Sequence, residues 1–474
     1  MTKPSKIGIL TFSDGRDFVH REHVAQSNLA RFQDQLARRL SADGYEVVVG
    51  NFVWSSTTAV EEAKRLVTAG CDATIFNFCV WSFPHLAAIA AQFVPGPLLL
   101  FSNVNPAYPG MVAFLAAAGA LDQVGRRYTR AWGDVADDAV YARVRSFLRA
   151  SRVVGSLRGQ TYGLFGGRPM GMYTAVSNPD QWLRVFGVDI EHIDQWEIVR
   201  RAEDVAQRSV DAAIRWLEEN ATVHYDGAAL TPETLGRQIR SYYAVRAMID
   251  EMHLDFCGIK AQPELTNSFC TMDVTEAFLN DPYDWDGPKP MIVCATEADT
   301  DGALTMQVLK GLSGTPALFA DVRHLHEDLG IFDLVNSGQH ATYFAGASMD
   351  WRDNLPKVHL MPESRFYFPA GGASVHHLAA PGHATFARFT RRDGTYRLTI
   401  AEGDFVQFEP ARNEELMRQT TYEWPHAFVR FDTAPDTFLG AYAANHIHAV
   451  YGSWTTELRM VCDQLGIEAQ VLSR

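Results

Sequence analysis

A chain of 474 residues is too long for one ordinary hydrophobic core and predicts two or three domains. Its composition, 47% hydrophobic and 21% charged with no low-complexity tract, excludes extended disorder. Acidic residues exceed basic ones, 56 against 42, and no Lys/Arg block stands out, which weighs against a nucleic-acid partner. The opening MTKPSKIGILTFSDGR carries an apolar run of about seven residues, shorter than a signal h-region or a membrane span. No later stretch reaches roughly eighteen apolar residues without a charge or turn signal, so a soluble, cytoplasmic protein with no membrane partner is expected. The six cysteines (Cys71, Cys79, Cys257, Cys270, Cys294, Cys462) are scattered without CxxC spacing, the pattern of reduced core thiols rather than disulfides or zinc.

The first third alternates short apolar runs with long amphipathic ones. KIGILTF (6–12), YEVVVGN (45–51), ATIFNFCV (73–80) and PLLLFSN (97–103) read as strands, and segments from about Phe18 to Leu40 and near 58–69 as helices. This spacing predicts βαβ units and a parallel sheet buried on both faces. Ligands gather at the carboxyl ends of such strands, which directs attention to Asp14-Gly15-Arg16 after the first strand and Trp81 after the third. A helix over 137–155 leads to SLRGQTYGLFGGRPMGM (156–172), where a strand ends in a glycine pair and the rhythm restarts.

Helices follow over 201–220 and 231–252, the second opening on a Thr-Pro-Glu start signal. FCGIKA (256–261), MIVCATE (291–297) and ALFADVR (317–323) read as strands, with a helix from about Asp301 to Leu312 between the last two. Glu297 and Asp321 thus fall at or near the carboxyl ends of successive strands. Beyond about residue 335 long helices become scarce, and ATFARFTRRDGTYRLTIAEGDF (384–405) reads as a hairpin turning at Arg392-Asp393-Gly394. The predicted fold class is α/β, with two Rossmann-like doubly wound domains over 1–157 and 158–314, the second carrying Glu297. A mostly antiparallel β-barrel domain over 315–474 carries Asp321 and His446.

Three segments could carry chemistry: CATEAD with Glu297, LFADVRH with Asp321 and AANHIH with His446. Two carboxylates and one imidazole suit a divalent ion of intermediate hardness, manganese(II) rather than zinc because no thiolate takes part. Residue type alone leaves other uses open, since acids after α/β strands also cap helices or pair on the surface. A lone strand histidine is often structural. His448 shares the face of His446 and reads as a supporting or structural group, while His340, His376 and His377 read as exposed-loop candidates for substrate contact.

CATEAD, GTPALFADVR and AANH, in this order, resemble the three metal-binding segments of L-fucose isomerases, within the L-fucose/L-arabinose isomerase superfamily. Further matches in the same order are SDGR (13–16), Trp81, GGRPMGM (166–172), GIKAQPEL (258–265), FLNDPYDWDGPKP (278–290), VNSG (335–338), YFPAGG (367–372), IAEG (400–403) and EWP (423–425). The resemblance implies a manganese-dependent ketol isomerase, an intramolecular oxidoreductase, with another divalent metal as the alternative. It would interconvert an aldose and its ketose, of L-fucose or D-arabinose type, through a cis-enediol intermediate. Glu297, Asp321 and His446 take the metal positions, and Glu297 and Asp321 also serve in catalytic proton transfer. Arg16, Trp81, Lys260, Gln262, Ser337, Tyr367 and Asn445 become the substrate-binding candidates. A homo-oligomer, hexameric by resemblance, is implied, with Trp81-type residues reaching a neighbour's site.

Departures from the family pattern bear on the substrate. Pro369-Ala370 stands where Arg-Gly is common, and Ile447 follows His446 where Gly is common. One alternative is the same chemistry on a sugar with an anionic group at C6, such as sulfoquinovose, suggested by Arg16, His20, Arg21, Arg168 and Lys260. An alternative of another class is a non-catalytic sugar-binding sensor.

Overall fold

In the computed structural model, which describes residues 5–16, 28–337 and 339–472, the chain divides into two compact units. One comprises Met1–Ser156 and Thr456–Ile467, the other Leu157–Thr455 and Glu468–Arg474. Together they make a mixed α/β protein with parallel sheets and a sheet-rich C-terminal region.

The first unit is built on β1 (Lys6–Phe12), β2 (Glu46–Val49), β3 (Ala73–Phe78), β4 (Leu98–Ser102) and β5 (Thr129–Trp132). They line up as β2-β1-β3-β4-β5, every neighbouring pair parallel. The middle strands β3 and β4 are buried along their whole length, as parallel strands covered on both faces must be. Sequence order reverses between β1 and β3, and Arg16 and Trp81 follow the carboxyl ends of those two strands. Helices Ala30–Ala42, Ser56–Thr68, Gly110–Gln123 and Asp138–Leu157 join or flank the strands. The start of the helix expected from Phe18, together with His20 and Arg21, lies outside the described residues.

The helix Thr455–Leu465, near the far end of the chain, supplies the last layer of this unit. It buries Leu458, Val461 and Cys462. Ser146 Oγ donates to Glu457 at 2.8 Å, and Gln464 Nε2 to Ser151 Oγ at 3.1 Å.

The second unit opens with β6 (Thr161–Phe165), β7 (Asp189–Ile193), β8 (Thr222–Val223), β9 (Phe256–Ile259), β10 (Tyr283–Asp284), β11 (Gly287–Pro288) and β12 (Cys294–Thr296). β12-β9-β6-β7 form a parallel sheet. The expected helix 201–220 is instead two, Trp196–Ala202 and Gln207–Asn220. The helix Pro232–Met252 starts where Thr-Pro-Glu predicts, with Thr231 and Thr234 forming a reciprocal cap.

Next come β13 (Leu318–His326), β14 (Ile331–Val335), β15 (His359–Pro362), β16 (Ala373–His376), β17 (Gly382–Arg392), β18 (Thr395–Phe405), β19 (His426–Phe431), β20 (His446–Tyr451) and β21 (Glu468–Leu472). Seven of them run β17-β20-β13-β14-β19-β18-β21, antiparallel except for β21 on β18. β17 also pairs with β18, so six of the ladders form a circuit. The β17–β18 hairpin turns at Asp393 and Gly394, both left-handed, as its sequence predicts.

One expectation is corrected here. Asp321 is expected at or near the carboxyl end of its strand but lies inside the nine-residue β13, whereas Glu297 directly follows β12. The two strands are successive in the chain and belong to different sheets. All six cysteines are free and buried. Among the described residues no helix is long and apolar enough to cross a membrane.

Candidate active site

Glu297 is presented by the turn that leaves β12. Glu297 and Ala298 both adopt left-handed backbone, φ 55° and 47°, at a cost of roughly 1–2 kcal/mol for each non-glycine residue. The turn is held in place: Ala298 N donates to Ile259 O at 2.8 Å, and Asp299 N to Thr296 O at 3.1 Å. Asp299 then caps the helix Thr300–Ser313, accepting from Gly302 N at 2.9 Å. Strained backbone that surrounding bonds enforce is characteristic of functional sites.

Asp321 and His446 stand directly opposite each other on β13 and β20, so both side chains emerge on one face of the sheet. His446 Nε2 lies 3.0 Å from Glu297 Oε2 and 3.5 Å from Asp321 Oδ1. The ring's other nitrogen, Nδ1, is 2.6 Å from Asp299 Oδ2. Two amides hold Asp321: Asn336 Nδ2 donates to Oδ2 at 2.9 Å and Asn445 Nδ2 to Oδ1 at 3.2 Å. Asn336 accepts in turn from the backbone N–H and hydroxyl of Ser337, at 2.7 and 2.9 Å.

The electrostatics follow from burial and pairing. Burial works against the charged form of His446, but hydrogen bonds and ion pairs to Asp299 and Glu297 override it and push the imidazole up to about 10. Asp321 is raised, first by burial, with His446 opposing and Glu297 adding to the shift. Asp299 moves the other way: burial opposes ionisation, yet the Arg388 guanidinium and His446 hold it well below the usual carboxylate range.

Among the described residues no trio of His, Cys, Asp or Glu is drawn together as a finished coordination group. The donor set nevertheless suits a divalent cation, because His446 Nε2 is buried without a well-aligned hydrogen bond and faces two carboxylates.

The remaining candidates fall into three groups. Asn445 and Ser337 join the network around Asp321. Lys260 pairs with Glu264 at 2.5 Å beside a cleft lined by Gly166, His192 and Gln195, Gln262 is half-buried, and exposed Tyr367 packs on Trp424. Among the described residues no hydrogen bond or ion pair links these last three to Glu297, Asp321 or His446. Arg16 and Trp81 belong to the first unit, where Arg16 engages Asp14 through Nε at 2.9 Å and half-buried Trp81 meets Phe83 edge-on.

His340, His376 and His377 are not exposed-loop residues. They are 1%, 7% and 1% accessible, and His376 ends β16. Burial pushes His376 down to about 4 and His377 to about 3, and lowers His340 strongly. Sequence reasoning missed Asp299, Arg388 and Asn336. Asp299 had a visible signal, an N-cap residue type immediately before a helix; Arg388 had only its isolation in the apolar run of β17.

Two carboxylates and an imidazole converging at a strained strand end, with a third carboxylate on the far nitrogen of the ring, form a constellation suited to proton transfer beside a divalent cation. Family models described as L-fucose isomerase match the chain over its first N-terminal domain (4–159), second N-terminal domain (250–314) and C-terminal domain (334–472). The chain belongs to the L-fucose isomerase family. L-fucose isomerase of Bacteroides thetaiotaomicron is 26% identical over 553 residues, spanning 98% of this chain and 93% of its own. That of Haemophilus influenzae is 26% identical over 540 residues, spanning 98% and 91%, and that of Vibrio vulnificus 24% over 546, spanning 98% and 93%. A solved D-lactate dehydrogenase from Escherichia coli covers 54% of this chain at 11% identity with a TM-score of 0.16, too low to speak for a common fold.

Proposed function

We propose that this protein is an aldose–ketose isomerase acting on a monosaccharide of L-fucose or D-arabinose type, with manganese(II) as its working ion. The observation that carries the reading is the approach of Glu297 and Asp321 to the same nitrogen of His446, at 3.0 and 3.5 Å, in a chain of this family. Moving a carbonyl from C1 to C2 requires a proton to leave C2 and one to arrive at C1, while the O2 proton is given up and O1 gains one. Nothing is added or lost overall.

The two carboxylates divide the work of base and acid, one taking the C2 proton and the other serving the hydroxyls, with the cis-enediol between the two half-steps. Asn336 and Asn445 keep Asp321 aimed by holding one oxygen each. A divalent ion held by Glu297, Asp321 and His446 would supply Lewis-acid stabilisation of the developing negative charge and a template for two adjacent sugar oxygens.

Ketose formation from a panel of aldoses, including L-fucose, D-arabinose and a C6-sulfonated glucose, tests the reading. Chelation should abolish turnover and added manganese restore it. Glu297→Gln should lower it by about 10²–10⁴-fold. Turnover that survives both chelation and the substitution would refute the assignment.

Of the basic residues that could serve a C6-anionic sugar, Arg16 and Lys260 already pair with Asp14 and Glu264. A non-catalytic sensor would have no need of two acids and a histidine brought to one point. The family also supports a closed homo-oligomer, hexameric by resemblance. Light scattering of the purified protein would return about six times the 52.8 kDa chain mass if so.

A further inference from the structure

Behind the proposed ion ligands the second unit buries a charged pair that no proton-transfer step uses. Asp299 and Arg388 are both wholly excluded from solvent. Arg388 Nη1 donates to Asp299 Oδ2 at 2.5 Å and Nη2 to Oδ1 at 3.0 Å. Asp299 Oδ2 also receives His446 Nδ1 at 2.6 Å, and Oδ1 receives Gly302 N at 2.9 Å. A buried ion pair adds little stability over apolar residues of the same volume, whereas removing one partner is strongly destabilising. Its presence therefore points to a geometric role.

Arg388 reaches further than Asp299. Nη2 donates to Thr174 O at 2.7 Å, and Nη1 meets His448 Nε2 at 3.1 Å. Thr174 lies in the 3-10 turn Tyr173–Ala175 of the segment that follows β6, and in that segment Met172 Sδ touches Asn445 Nδ2 at 3.5 Å. Asn445 is one of the two amides on Asp321. A single buried guanidinium thus ties together the start of the helix Thr300–Ser313, strand β20 and the loop after β6.

We infer that Asp299 and Arg388 are positioning residues: Asp299 fixes the His446 ring through Nδ1 so that Nε2 faces Glu297 and Asp321, and Arg388 fixes Asp299. The inference rests on the metal-dependent reading above. A carboxylate on the far nitrogen of a ligating imidazole sets the ring's orientation, and its loss typically weakens metal binding by about 10–100-fold.

Manganese(II) binding to the purified full chain, read from the free-ion electron paramagnetic resonance signal, tests it on the wild type, Asp299→Asn, Arg388→Lys and Asp301→Asn. Asp301 is the control: it lies in the first turn of the helix that Asp299 caps, is also buried, and accepts from Tyr396 Oη at 2.7 Å without touching His446. Asp299→Asn should bind manganese about 10–100-fold more weakly with an unchanged circular dichroism spectrum, while Asp301→Asn keeps wild-type affinity. Equal affinity in Asp299→Asn and wild type overturns the inference and leaves the metal reading standing, as does an equal loss in Asp301→Asn. A wild type that binds no manganese overturns the metal reading itself. Should Asp299→Asn fail to fold, Arg388→Lys, which keeps the charge but loses the two-pronged grip on Asp299, decides by the same criterion.

Discussion

Glu276 shows what burial does to a single carboxyl in this protein. It is 0% exposed, neither oxygen has a well-formed hydrogen bond, and burial, with the Thr296 side chain opposing and the charge of Glu297 adding, pushes it up to about 8. The folded state therefore holds this proton more tightly than the unfolded chain does. The associated stability is full below the ordinary value of about 4.3 and is lost as pH rises through about 8. Glu276→Gln removes the penalty of ionising a buried acid. Thermal unfolding followed by circular dichroism should place its midpoint near wild type at pH 5 and several degrees above it at pH 9. A variant that tracks wild type at both pH values would show that water reaches this carboxyl. Residues of this kind are invisible in sequence, because DVTEAF reads as an ordinary amphipathic helix start. Glu297, Asp321 and His446 were legible, but through motif order rather than residue type. Asn336 is not distinguishable from Ser337 in sequence, since nothing in VNSG says which polar side chain turns towards Asp321.

At the scale of elements, strands with unbroken aliphatic runs declared themselves: β1, β3 and β4 fall within a few residues of their expected spans. The elements that did not were of two kinds. β7, DIEHI, is only five residues long and has apolar residues at its second and fifth positions, so it shows no period-2 alternation. The helix Gly110–Gln123, GMVAFLAAAGALDQ, has no polar face until its last two residues, so no amphipathic period marks it. Turn chemistry was the most legible feature of the antiparallel region, where Asp393-Gly394 sits at φ 50° and 74°. A Cβ added to Gly394 would meet no atom within 4 Å, so Gly394→Ala should cost only the backbone term. That is about 1 kcal/mol, measurable as a lower urea midpoint with an unchanged slope.

For the whole molecule, sequence spacing conveyed a succession of α/β and β-rich regions but gave no sign that the first unit is discontinuous. The amphipathic pattern of the helix Thr455–Leu465 is local, and its partners Ser146 and Ser151 are more than 300 positions away. A fragment holding residues 1–156 should be less stable than one in which residues 455–467 are joined to it, with the difference read from thermal unfolding. Equal midpoints would mean that the helix merely rests on a unit already complete.

That return of the chain has a consequence for the way the protein is made. Synthesis proceeds from the N-terminus at about 5–20 residues per second, so the first unit waits roughly 15–60 s for its last helix while residues 157–455 are added. Throughout that interval the core cluster that includes Phe147 and Leu148 lacks the side chain of Met460 that packs against it in the folded protein. A product terminated before residue 455 would never gain that covering helix. A truncation in the last part of the sequence would then surface as instability at the beginning.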